Sequence, residues 1–166
     1  MTKNLARGLV VAFCLGGLAQ AAELPSRAAG LWQSTTNVTG PGGAPMANAQ
    51  GVVTLTCVDP ATDRKFLLSG QSRCSQLSIT GAGAAYTISG TCVQPAGTVK
   101  IHETLTYDSN KSVQLKADFS TSSGEMSMVS DLQWQGPCPA GMAPGDEGSM
   151  RDGVFVKAGN INDHAP

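Results

Sequence analysis

The chain has 166 residues, a formal net charge of −1 and only 14% charged side chains, so it offers no basic face for nucleic acid and no acidic tail. Aromatic residues make up 5%, against 20 glycines. Such a core is short of large side chains, and covalent staples would benefit it.

Residues 1–21 read as a signal peptide. Lys3 and Arg7 precede the apolar run "LVVAFCLGGLA", and Ala19-Gln20-Ala21 is a small-x-small cleavage site, which starts the mature chain at Ala22 or Glu23. The run is too short for a membrane span, which needs about 20 residues. Cys14 lies inside it, and Phe13 is too large for the position before a lipidated cysteine, so a lipid anchor is not expected. Residues 22–166 remain, the size of a single domain. An exported, soluble protein is the expectation.

The mature sequence then alternates. "LWQSTTNVT" (31–39) reads as a strand, followed by the Gly/Pro-rich connector "GPGGAPMANAQG". "VVTLTC" (52–57) puts Val53, Leu55 and Cys57 on one face. In "CVDPATDRKFLLSG", Asp59 stands at an N-cap, Pro60 at the first helical position and Gly70 at a C-terminal stop, which predicts a helix over 60–69 with Phe66 and Leu67 facing inward. "QLSIT" and "AYTISGTC" flank the turn "GAGA", with Tyr86, Ile88, Gly90 and Cys92 sharing a side. "TVKIHETLTY" (98–107) and "SVQLKADFS" (112–120) flank "DSNK" as a second hairpin. "EMSMVSDLQW" (125–134) puts Met126, Met128, Leu132 and Trp134 on one face, with Ser130 as a polar break. Gly136-Pro137 stops that strand, and 139–166 reads as a C-terminal loop. Period two with one polar face indicates antiparallel strands buried on one side. The expected fold is all-β, an antiparallel meander of about seven strands forming a curved sheet or open barrel, with one short helix.

Without Cys14 the chain keeps Cys57, Cys74, Cys92 and Cys138. An even count in an exported chain reads as two disulfides with three possible connectivities. A thiolate metal site is the rival, but no close C-x-x-C pair exists, and His102 and His164 are distant in sequence. Cys57 and Cys74 bracket the predicted helix, so the pairing 57–74 with 92–138 is expected, the first closing the helix into a loop. No metal and no cofactor are expected.

In order, "GLWQSTT", "CVDPATD", Cys74-Ser75, "YTISGTC" and "MSMVSDLQWQGPCPAGMAPGD" resemble domain-of-unknown-function family 3617 across the whole mature chain. Family members typically carry an acidic residue after the Leu-Trp pair, where this chain has Gln33. The resemblance implies a proteobacterial, hence Gram-negative, periplasmic protein, and it brings no catalytic or binding residue with it.

Candidate chemistry is sparse. Met126 and Met128 are soft thioethers of the kind that ligate Cu(I), or simply fill the core beside Leu132 and Trp134. Glu103 falls in the middle of the apolar face formed by Val99, Ile101, Leu105 and Tyr107. A carboxylate there is costly unless it is paired or reached by water. It marks either a polar contact in a ligand cavity, or a bulge or open end of the sheet that exposes it. No G-x-S-x-G elbow, H-E-x-x-H or glycine-rich phosphate loop follows a strand, and His102 has no partner marked by the sequence, so no catalytic residue is assigned. The reading is a non-catalytic module for a small apolar or amphipathic ligand, with Glu103 and Trp134 as candidate contacts. The alternative is a structural or protein-interaction component of the envelope, using a strand edge or the tail 139–166.

Overall fold

The structure is a computed structural model, and it describes residues 22–71, 74–95 and 97–163. The expected signal peptide and His164 lie outside the described residues. Nine strands form one antiparallel sheet: β1 (Gly30–Thr39), β2 (Val52–Val58), β3 (Cys74–Ala82), β4 (Ala85–Gln94), β5 (Gly97–Ser109), β6 (Ser112–Thr121), β7 (Gly124–Gly136), β8 (Asp146–Arg151) and β9 (Val154–Asn160). Their order is β3-β4-β5-β6-β7-β1-β2-β8-β9. The meander is therefore the run β3 to β7, and the β1–β2 hairpin is laid beside its last strand. The two ends of the sheet do not pair, so it is an open sheet and not a closed barrel.

Two strands exceed the expected seven. The tail 139–166, expected as a loop, contains the β8–β9 hairpin. Its turn is Asp152-Gly153, both at positive φ (51° and 78°), a dipeptide suited to a tight hairpin turn. The helix is shorter than expected. Only Asp63–Leu67 is helical (α1), preceded by a turn and followed by a 3-10 turn at Ser69–Gln71. Asp59 caps the turn before it instead of the helix: its Oδ1 accepts from the backbone N–H of Ala61 (3.1 Å) and of Thr62 (2.8 Å) and from Thr62 Oγ1 (2.7 Å).

The inner face of the sheet carries the core. Trp32 and Val58, Ile79, Tyr86 and Ile88, Leu105 and Tyr107, Val113 and Leu132 bury against one another, with Leu24 and Leu67 closing over them. Two segments make that cover. The strap 22–29 crosses the strands, with Ala22 N–H donating to Ile79 O (2.9 Å) and Ala28 N–H to Asn110 O (2.7 Å). The second is the crossover 59–71, which runs from β2 toward β3. Arg27 of the strap and Asp63 of α1 lock them together, Arg27 N–H donating to Oδ2 (2.9 Å) and Nε–H to Oδ1 (2.7 Å), both side chains buried. The Arg27 guanidinium lies 4.8 Å from the centroid of the Trp32 ring. The Trp32 and Trp134 indoles pin the end of the strap by donating to Ala28 O (2.8 Å) and Ala29 O (3.0 Å).

Both disulfides form, but with another connectivity than the one expected: Cys57–Cys138 and Cys74–Cys92. The sheet order explains the correction. Cys57 is on β2 and Cys74 on β3, with five strands between them. Six strand spacings of ~4.8 Å put them about 29 Å apart along the sheet, whereas a disulfide needs Cα atoms within about 7 Å. Cys74 instead stands directly opposite Cys92. Cys57 and Gly136 flank Leu31 of β1 on its two sides, so Gly136-Pro137 brings Cys138 across the start of β1 to Cys57. Under this bridge Leu55, Cys57, Met142 and Ile161 are buried on the outer face, apart from the main core.

Candidate functional site

The register fixes what surrounds Glu103. It stands on β5 between Ile88 of β4 and Ala117 of β6, and the same cross-strand line continues through Met128 of β7 to Val38 of β1. It faces the interior as alternation requires, and it is only 6% exposed. One contact comes from the crossover: Gln71 Nε2 donates to Glu103 Oε2 at 3.1 Å. Burial pushes the Glu103 carboxyl up to about 7, against the Gln71 hydrogen bond, which lowers it.

The acceptors there are not all used. Glu103 Oε1 and Gln71 Oε1 are buried without a hydrogen-bond partner. At the other end of the core, Tyr107 Oη and Arg27 Nη2 are also without one. Tyr107 meets Tyr86 edge to face, centroids 5.9 Å apart. Burial, and then the negative charge of Asp63, push its hydroxyl up to about 12. A buried polar atom without a partner costs roughly 1–3 kcal/mol, and four of them lie in this one small core.

Beyond Glu103 the inner face is half covered. Leu115, Phe119, Met126, Met128 and Val38 are only partly buried there. Ser130, the polar break, is buried among them and shares a hydrogen bond with Thr36 Oγ1 across β1 (2.7 Å). Met126 stands opposite Phe119 and Met128 opposite Ala117. The result is an apolar strip with a buried carboxyl at its inner edge.

Trp134 belongs elsewhere. On β7 it lies six residues beyond Met128, which is level with Glu103, so about 20 Å of strand separates them. Its indole N–H is spent on Ala29, and Lys111 Nζ sits 4.1 Å from its ring centroid. The two candidate contacts do not share a site. His102, on the opposite face, has Ser89 Oγ 3.2 Å from its Nδ1 and is cross-strand to Asp118. That group lies on the exposed outer face of the sheet. Asp118 also lines an open cleft of about 470 Å³ with Glu125, Ser120, Ser127 and the Gly40–Gly43 loop.

Arg27, Asp63, Gln71 and Tyr107 were not singled out by sequence reasoning. Tyr107 was legible as an inward position on β5, but Arg27, Asp63 and Gln71 come from covering segments that carry no strand periodicity. Their roles follow only from where the strap and the crossover cross the sheet.

Among the described residues no helix is long and apolar enough to cross a membrane, and no group of three or more His, Cys, Asp or Glu is placed to hold a metal. No curated protein and no solved structure matches the chain significantly. Residues 27–138 match the family described as protein of unknown function, DUF3617. The matched span runs from Arg27, which locks the strap, to Cys138, which closes the outer bridge, and the chain is a member of that family.

Proposed function

We propose that this protein is a non-catalytic periplasmic module that binds a small apolar or amphipathic ligand on the half-covered inner face of its sheet. The observation that carries this reading is Glu103: a buried carboxyl with a free acceptor atom, at the edge of an apolar strip that no described element fully covers. The strip accommodates an apolar chain, and the carboxyl with Gln71 accommodates a polar end. Most ligand sites have this make-up, apolar walls with a few placed polar groups. The export signal read in residues 1–21 and the two disulfides support a periplasmic setting. The exposed position of Ser89 and His102 on the outer face supports a role without catalysis.

The test is native mass spectrometry of the oxidised protein purified from its own periplasm. A reproducible added mass is expected, and it should be lost from Phe119→Glu and Met128→Lys, which place charge in the strip. A bare mass for the wild type would count against a tightly held ligand.

A second reading rests on a different surface. At the β8–β9 corner Met150, Val154 and Val156 are exposed, Val154 by 64%, and β9 is an edge strand. Exposed edges pair with other chains unless something blunts them. A protein-interaction role in the envelope would use this corner, and cross-linking from a photoreactive residue at Val154 in living cells would capture the partner.

A further inference from the structure

Resting on the binding reading above, we infer that the ligand carries a primary amine at its polar end: an alkyl-chain amine whose chain lies on the apolar strip and whose ammonium meets Glu103 and Gln71. At that end of the core, acceptors outnumber donors among the described residues. Glu103 Oε1 and Gln71 Oε1 are both buried acceptors without a donor. The side-chain donor of Gln71, Nε2, is already committed to Glu103 Oε2. Among the described residues the site lacks donors, and an ammonium brings three and no acceptor.

A carboxylate headgroup would do the opposite, setting more acceptors and a like charge against Glu103. Arg27, the one buried cation among the described residues, does not change this. It is paired with Asp63 and stacked on Trp32 at the strap end, where its unpartnered Nη2 also lies, and Glu103 responds to burial and to Gln71 alone. An alcohol supplies one donor and no charge, so it should rank between the two. The apolar part of the ligand follows from the neighbours of Glu103: Ile88, Ala117 and Met128 in line, with Ile101, Leu115 and Phe119 beside them. None of these carries a polar group.

Glu103 suits a cation in a further respect. Its carboxyl titrates near neutrality, so an arriving ammonium finds it easily ionised, and the new ion pair would hold it in that form. The groups packed toward it are Gln71 from the crossover and the apolar residues above. Asp63, Arg27 and Tyr86 lie toward the other end of the core around Tyr107, whose hydroxyl also feels the charge of Glu103.

The experiment uses the full, oxidised mature protein and three probes of one chain length, dodecylamine, dodecanol and dodecanoate, each below its micelle concentration, by isothermal titration calorimetry at pH 7.5. Dodecylamine is expected to bind at least about tenfold tighter than dodecanoate, with dodecanol between. In Glu103→Gln the advantage of the amine over the alcohol should vanish while the alcohol binds as before. Should that variant fail to fold by circular dichroism, the wild type is titrated between pH 5.5 and pH 8. There the amine affinity should rise about fivefold or more as Glu103 ionises, with the alcohol unmoved. Dodecanoate binding as tightly as the amine overturns the amine assignment and leaves the binding reading intact. So does an amine preference that survives Glu103→Gln, or that is flat with pH. Failure of all three probes to bind the wild type overturns both.

Discussion

Glu103 occupies a position where strand alternation calls for an apolar side chain, and the cost shows in its titration. Its carboxyl titrates at about 7 in the fold and at about 4.5 when exposed. Between those values the folded state holds a proton that the unfolded state has released, so stability falls as pH rises from about 4.5 to 7 and stays low above. The size is about 3 kcal/mol at most. Glu103→Gln keeps an amide partner for Gln71 and has no charge to bury. In urea melts it should match the wild type near pH 5, exceed it near pH 8 and lack the slope between. A wild type equally stable at both pH values would mean that water reaches the carboxyl. Gly30 is the second residue with a sharp expectation. At φ +135° a Cβ there would collide with the carbonyl oxygen of Gly136 and the indole nitrogen of Trp134. Gly30→Ala should therefore cost more than about 2 kcal/mol, while Gly43→Ala, whose Cβ meets nothing, should cost less in the same melts. Glu103 was legible in the sequence because a charge breaks a period-two run. Gln71 was not, because nothing local marks a residue of a 3-10 turn as lying over a strand three elements later.

The covering elements depend on one ion pair. Arg27 and Asp63 are both buried and doubly bonded, and removing one partner leaves a buried charge alone. Asp63→Ala should cost roughly 3–5 kcal/mol, and the double change Arg27→Met, Asp63→Leu distinctly less, because the pair gives back much of its Coulomb energy as desolvation. Equal losses in the single and double variants, measured by denaturant titration, would show that packing of the strap outweighs its charge. The strands of the meander were readable one by one from their alternation, and each appears within a few residues of its expected bounds. The β8–β9 hairpin was missed although its Asp-Gly turn was in plain view, because its strands, "DEGSMR" and "VFVKAGN", alternate poorly. The helix was overestimated because capping residues mark where a helix can begin, while its length depends on what it packs against.

At the scale of the whole molecule, strand order is the property that sequence conceals. Nothing in the local pattern says that β1 and β2 lie beyond β7, and the pairing 57–74 fails for that reason alone. Peptide mapping under non-reducing conditions should find Cys57 linked to Cys138 and Cys74 to Cys92. The two bridges enclose 81 and 18 residues in sequence separation. In the chain-entropy model they contribute about 4.5 and about 3 kcal/mol, so the Cys57→Ser, Cys138→Ser variant should melt below Cys74→Ser, Cys92→Ser. The reverse order would mean that tying β3 to β4 matters more than closing the long loop.

The nesting of one bridge inside the other has a consequence for biogenesis. If the chain is exported as proposed, with Cys14 removed in the signal peptide, the first two thiols to meet an oxidant are Cys57 and Cys74, and these two are not partners. An oxidase that joins cysteines in order of appearance would trap the chain with β2 tied to β3, and the sheet could not assemble. Reaching the native links then requires a thiol to attack and reshuffle the early one, so the yield of this protein should depend on a disulfide isomerase and not on oxidation alone.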